Sequence, residues 1–176
     1  MFTRILVGLD GSDHARKALG IAISLAKNDK ASLVLVSALG ANPVTDAERE
    51  LGEAEFGIRG LEQRAPASPI VAPESRPRPE FAAYETPDAL LRARTEIAQL
   101  MLEEARQDAI QAGVEQVDLR IEFGDPAKAI LDVAKSEKAD LIVIASRGLS
   151  NLRGLVFGST SHKVTHLAAC SCLAVT

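Results

Sequence analysis

Asp140-Leu141-Ile142-Val143-Ile144 runs directly into Ala145-Ser146-Arg147-Gly148, and Gly158-Ser159-Thr160-Ser161 follows after nine further residues. The first stretch is short and apolar, which is typical of a strand buried on both faces of a parallel sheet. The second is a loop of small residues, and the third begins a helical pattern. Backbone N–H groups at such a loop and helix start favour anions, and glycine lets the backbone approach a ligand closely. This layout predicts a phosphate-binding site.

Composition limits the classes of partner that this chain could bind. The net charge is −4 with no run of Lys or Arg, and aromatic residues make up only 3%. These values argue against nucleic acid or an anionic membrane surface as the main partner. No apolar run approaches the roughly 18 residues of a membrane span, so we expect no membrane partner.

The length of 176 residues predicts one domain, 1–176, with an aliphatic core. The N-terminus passes at once into a strand pattern, so we expect no signal peptide. The chain has two cysteines, Cys170 and Cys172. A disulfide scaffold is therefore not expected, and the predicted location is the cytoplasm.

Short strand patterns alternate with helical patterns along most of the chain. The helix starts carry capping signals, namely Ser12, Thr86-Pro87 and Asp125-Pro126, and Gly113 is a stop signal. The predicted strands cover residues 4–9, 32–38, 117–121, 141–145 and 172–175. Seven of the eight prolines fall within 40–87, which predicts a long, partly flexible insertion with a short helix near 46–56.

The alternation predicts an α/β fold with a doubly wound, five-stranded parallel sheet of order 3-2-1-4-5 in three α/β/α layers. Ligands of such sheets bind at the carboxyl ends of the strands where the order reverses, here between strands 1 and 4. Strand 1 ends at Gly8-Leu9-Asp10, and strand 4 ends at Ile144-Ala145. The two loops with the most suggestive chemistry are therefore predicted neighbours.

Three stretches, 5–12, 139–150 and 158–175, together resemble the universal stress protein family. The resemblance covers residues 1–40 and 88–176, outside the insertion. Members that bind nucleotides carry Gly, two residues, Gly, nine residues, Gly, and then Ser or Thr. Gly148, Gly158 and Ser159 match this pattern, whereas Ala145 stands at the first glycine position. We expect the small alanine methyl group to narrow the site without closing it.

The resemblance implies a role for each matching position toward ATP, or ADP or AMP, with Mg²⁺ or Mn²⁺. Asp10 would face the ribose or a metal ion at the phosphates, and the backbone of Ala38 would meet the adenine. The ribose and phosphate side would be lined by Ala145, Arg147 and Gly148. The phosphates would be capped by Gly158, Ser159, Thr160 and Ser161. No P-loop lysine is present, so Arg147, Arg153 or the cation would assist the neutral donors.

Each candidate also has a structural interpretation. Asp10 could cap the turn into the first helix, and Gly148 and Gly158 could simply end a strand and begin a helix. His162 and His166 have a metal-chelating spacing, but no third ligand is evident and solvated histidines are favoured. Cys170 and Cys172 are more typical of packing than of a redox switch.

The resulting prediction is an ATP-binding, dimeric, cytoplasmic stress-response or regulatory protein that pairs through its final strand and has no catalytic residue. Two alternatives stay open. One is slow, metal-dependent ATP hydrolysis using Asp10. The other is a nucleotide-free protein-interaction module.

Overall fold

The computed structural model describes residues 1–40, 87–148 and 158–176. Within them, strands and helices alternate as the sequence predicts. In chain order they are β1 (Arg4–Gly8), α1 (Asp13–Asp29), β2 (Ser32–Leu39), α2 (Pro87–Gln111), β3 (Val117–Phe123), α3 (Pro126–Ser136), β4 (Leu141–Ala145), α4 (Ser159–Leu167) and β5 (Ser171–Val175). The predicted helix near 46–56, the cap residue Thr86, Arg153 and nearly all of the insertion lie outside the described residues.

The chain divides into two compact units, Met1–Ala41 together with Ala98–Thr176, and Asn42–Ile97. All the described strands belong to the first unit. Of the second unit the structure describes residues 87–97, which form the first turns of α2. In the described part of the chain, no helix combines the length and apolar character needed to cross a membrane.

The five described strands form one parallel sheet of order β3-β2-β1-β4-β5, which confirms the predicted topology. Gly8, the last residue of β1, is paired with Val36 on one side and with Ile144 on the other. The β2–β3 ladder continues to the Leu39–Phe123 pair. The carboxyl edge of the sheet is therefore stepped, because β2 and β3 extend beyond the end of β1.

Aliphatic clusters cover both faces of the sheet. One cluster joins the sheet to α1 and to the part of α2 from Ala98 onward, and includes Val7, Leu35 and Leu102. The other joins it to α3 and α4, and includes Ile142 and Val164. Burial of this surface is the main driving force for the fold. The three predicted layers are thus confirmed.

Local capping signals set the helix boundaries. The Ser12 hydroxyl accepts a hydrogen bond from the N–H of Ala15 at 3.1 Å, and Asp125 accepts one from Lys128 at 2.9 Å. Gly113 ends α2 with a φ of 101°, a left-handed conformation that favours glycine. Of the signals named in the sequence, Ser12, Asp125 and Gly113 therefore act as predicted.

Charged groups join several elements at the opposite, amino edge of the sheet. Glu137 accepts hydrogen bonds from Arg120, at 2.5 Å, and from Arg4. Asp140 accepts from the N–H and hydroxyl of Thr3, both at 2.7 Å, and from the N–H of Arg4. Burial acts to raise the pKa of Asp140, but these hydrogen bonds outweigh it and lower the pKa below its ordinary value of 3.8.

Candidate functional site

The loops after β1 and β4 meet at the carboxyl edge of the sheet. A methyl group on Gly148 would overlap Oδ2 of Asp10, far inside van der Waals contact. The Asp10 carboxylate thus occupies the place of a side chain at position 148. The structure brings together the two residues that the strand order predicts to be neighbours, and it gives a steric reason for the glycine.

Hydrogen bonds fix the Asp10 carboxylate in this position. Its Oδ1 accepts from the backbone N–H of Ser12 at 3.0 Å and from the Ser12 hydroxyl at 2.7 Å. The same hydroxyl caps α1 through Ala15. Asp10 therefore has the turn-capping role that its structural interpretation predicts, and this role also orients it toward Gly148.

The backbone of Ser146 connects the end of β4 to the start of α4. Its carbonyl accepts hydrogen bonds from the N–H of Gly158 at 2.7 Å and from the Ser161 hydroxyl at 2.8 Å. Its N–H donates to Val175 on β5 at 2.6 Å. Ser146 and Ser161 are both buried. The start of α4 is thereby held against the end of β4, and the Ser161 hydroxyl is turned into this junction.

Ser146 is a site residue that the sequence did not single out. It is 0% exposed, and its hydroxyl has no hydrogen-bond partner within the described residues. An unpaired buried hydroxyl is unusual enough to need an explanation. A serine among small residues carries no sequence signal of this kind, because its burial depends on contacts with residues distant in the chain, such as Ser161 and Val175.

The first turn of α4 lacks the side-chain cap with which α1 and α3 begin. Ser12 and Asp125 cap α1 and α3 with their side chains, whereas Gly158 gives α4 no side-chain cap. The first N–H groups of any helix lack partners within the helix. Ser159 is exposed and Thr160 is half-buried at this opening.

Glycine at position 158 is not required by the protein's own conformation. Its φ of −75° and ψ of 159° suit any residue. A methyl group there would lie 3.5 Å from the carbonyl oxygen of Ser146 and 3.7 Å from the Ser161 hydroxyl, which are ordinary contacts. The described residues thus accommodate a side chain at this position, which the sequence nevertheless leaves empty.

The remaining predicted site residues lie at the carboxyl edge, either buried below it or partly exposed at it. Gly8, Leu9 and Ile144 are buried beneath it, and a methyl group on Gly8 would lie 3.2 Å from Cδ1 of Ile130. Ala145 is 7% exposed and belongs to the cluster on the α1 face. The methyl group that replaces the first glycine of the pattern is therefore packed in the core. Ala38 is half-buried and Arg147 is exposed.

The described residues hold no cluster of three or more His, Cys, Asp or Glu side chains able to bind a metal ion. A cation at Asp10 would therefore need additional oxygen ligands, such as phosphate oxygens, which is the usual arrangement for Mg²⁺. His162 and His166 lie side by side on α4 with ring centroids 4.6 Å apart. Cys170 and Cys172 pack against the α3–α4 cluster, and burial raises the pKa of both thiols.

Comparison with known proteins establishes the family of this chain. The model of the universal stress protein family matches residues 1–65 and 63–176, which together span all 176 residues. The chain belongs to the universal stress protein family. Universal stress protein YxiE of Bacillus subtilis is 32% identical over 175 residues, which cover 99% of both chains. This confirms the resemblance found in the sequence.

Solved structures of the family share the fold. Universal stress protein UspA from Lactobacillus plantarum superposes with a TM-score of 0.71 at 22% identity, covering 100% of this chain and 99% of that one. A universal stress protein in complex with cAMP gives a TM-score of 0.62 at 25% identity, covering 99% and 97%. At least one structural neighbour in the family therefore holds an adenine nucleotide.

Proposed function

We propose that this universal stress protein binds an adenine nucleotide, ATP with Mg²⁺ or Mn²⁺, at the carboxyl edge between β1 and β4. The observation that carries the proposal is Gly158. It stands where serine or aspartate caps the neighbouring helices, in a conformation open to any residue and with room for a methyl group. A phosphate group placed against the first turn of α4 would account for an empty position that the packing of the described residues leaves unexplained.

The proposed binding mode assigns a task to each group at the edge. Phosphate oxygens would accept hydrogen bonds from the N–H groups at the start of α4 and from the exposed Ser159 hydroxyl. Arg147, exposed beside Gly148, would supply positive charge. Asp10 would face the ribose or hold the cation together with the phosphates, and the end of β2 at Ala38 would meet the base. A cation bound in this way would neutralise phosphate charge.

Binding without rapid turnover is the mode that the site supports. Oδ1 of Asp10 already accepts two hydrogen bonds from Ser12, so this oxygen is engaged in the turn. A general base needs its lone pair directed at the attacking water. We therefore propose a regulatory or protective role in the cytoplasm, in which the nucleotide favours one state of the protein. The cAMP complex of a family member supports the adenine nucleotide in general and not ATP in particular.

The final strand offers a surface for self-association. Among the described strands, β5 pairs only with β4, so its outer edge is open. Leu173 on this strand is 37% exposed. Open apolar edges are usually covered in native proteins. We propose that a second copy covers it as a homodimer, which sedimentation equilibrium of the purified protein tests: a monomer at micromolar concentration contradicts it.

Two measurements test whether the protein binds nucleotide. Natively purified protein is denatured, and the released small molecules are identified by mass spectrometry. Thermal unfolding is then followed with ATP, with and without Mg²⁺ or Mn²⁺. Released adenine nucleotide, or a higher melting temperature with ATP and metal, supports the proposal. Absence of both contradicts it and favours the nucleotide-free interaction module.

The variant Gly158→Val tests the position of the site. The branched side chain fits the backbone conformation but fills the space in front of the first turn of α4. We expect the ATP-dependent rise in melting temperature to disappear while the nucleotide-free protein unfolds at nearly the wild-type temperature. Gly20→Ala on α1 is the control, because no atom lies within 4 Å of the added methyl group. Normal ATP affinity in Gly158→Val would place the nucleotide elsewhere.

A further inference from the structure

The stepped edge of the sheet places one aromatic ring beside the proposed site. β1 ends at Gly8, level with Val36 on β2, whereas β2 and β3 continue three residues further to the Leu39–Phe123 pair. Three residues of strand amount to about 10 Å. The ends of β2 and β3 therefore extend beyond the end of β1.

Phe123 is the exposed one of the two phenylalanines that the structure describes. Its side chain is 57% exposed, whereas Phe2, the other described phenylalanine, packs against the core. Val117, Leu119 and Ile121 alternate along the same strand and belong to or pack against the α1-face cluster. Phe123 continues this alternation one step past the point where that cluster ends. The ring therefore lies outside the core, at the carboxyl edge of the sheet where the proposed ligand binds.

The order of the strands sets the direction of a bound nucleotide. Its phosphates, in the proposed function on which this step rests, lie at the start of α4 beyond β4. Asp10 lies beyond β1, the next strand along. A nucleotide laid from α4 across Asp10 continues over β2 toward β3. Adjacent strands are about 4.8 Å apart, so β3 lies roughly 10 Å to the side of β1, and with the step along the strands its end lies roughly 14 Å from that of β1.

We infer that Phe123 is a base-recognition residue, against whose ring the purine base of the nucleotide packs. The ring supplies an apolar π-face at the end of the site opposite the phosphate donors. Stacking with an aromatic side chain stabilises any nucleobase and favours the larger purine surface. The neutral base thus gains binding energy from a residue that touches neither the phosphates nor the cation.

Calorimetric titration with ATP and Mg²⁺ tests this inference in the full-length protein. Loss of one base–aromatic contact is expected to weaken binding by about tenfold in Phe123→Ala. The control is Leu167→Ala, since Leu167 is 67% exposed at the far end of α4 and its truncation removes a similar apolar surface. We expect this control to bind as the wild type does, and both variants to unfold near the wild-type temperature. Wild-type affinity in Phe123→Ala would overturn the inference.

The substitution Phe123→Trp adds a spectroscopic test, because the chain contains no tryptophan. The new indole would be the only tryptophan of the protein and would report directly on the base. We expect ATP to bind Phe123→Trp with an affinity close to that of wild type and to quench its fluorescence. Binding without any change in the emission would overturn the inference. If the wild-type protein itself binds no ATP, the proposed function fails first, and the two failures are thereby distinguished.

Discussion

At the scale of single residues, the contact between Asp10 and Gly148 determines how closely the two loops of the site approach. The backbone of Gly148 does not have a positive φ, so alanine would be conformationally acceptable there. Its methyl group would nevertheless overlap Oδ2 of Asp10. Because Ser12 holds the Asp10 carboxylate in place, the carboxylate cannot move freely away from this methyl group. We expect Gly148→Ala to lower the free energy of unfolding by about 1–3 kcal/mol, measured in urea.

A double-mutant cycle separates this clash from other effects of the substitution. In an Asp10→Ala background the obstructing carboxylate is absent, so Gly148→Ala should have little effect on the free energy of unfolding. Gly20→Ala serves as the control for adding a methyl group, and it should raise stability by about 0.5–1 kcal/mol in the interior of α1. An equal loss from Gly148→Ala in both backgrounds would contradict the proposed contact.

At the scale of elements, the caps determine where each helix begins and what its first turn can bind. The Ser12 hydroxyl caps α1 by accepting from the N–H of Ala15, and it also donates a hydrogen bond to Asp10. It therefore links the stability of α1 to the geometry of the site. We expect Ser12→Ala to lower the free energy of unfolding by about 1–2 kcal/mol in urea and to weaken ATP binding. Ser159→Ala at the open start of α4 should leave stability nearly unchanged and weaken only binding. Equal losses of stability in the two variants would contradict this division of roles.

The elements also show why the fold could be predicted more fully than the site. Ser12, Gly113 and Asp125 act on N–H and carbonyl groups a few residues away, so their signals are present in the local sequence. The strand order follows from the alternation of elements, and it correctly placed Asp10 beside Gly148. The buried Ser146 hydroxyl and the exposed Phe123 ring result from packing and register between distant segments. No local pattern encodes such long-range relationships.

At the scale of the whole molecule, Glu137 connects the end of α3 to β1 and β3 at the edge opposite the site. The Glu137 side chain is 16% exposed and forms salt bridges with Arg120 and Arg4. Arg4 also forms a salt bridge with Asp118 at 2.9 Å. The hydrogen bond from Arg120, with a further contribution from Arg4, lowers the pKa of Glu137 below its ordinary value of 4.5. The folded state therefore favours the ionised carboxylate more than the unfolded state does.

The direction of this pKa change predicts how stability depends on pH. The contribution of Glu137 is complete above about pH 4.5, its unfolded value, and is lost as the pH falls through the lower folded value. We expect Glu137→Gln to lower the free energy of unfolding by about 2 kcal/mol near neutral pH, with a smaller difference from wild type at about pH 3.5. Asp132→Asn, which breaks the exposed pair with Lys128, is the control and should change little at either pH. A constant difference between Glu137→Gln and wild type across the acid range, measured by urea unfolding, would show that ionisation of Glu137 does not contribute to stability.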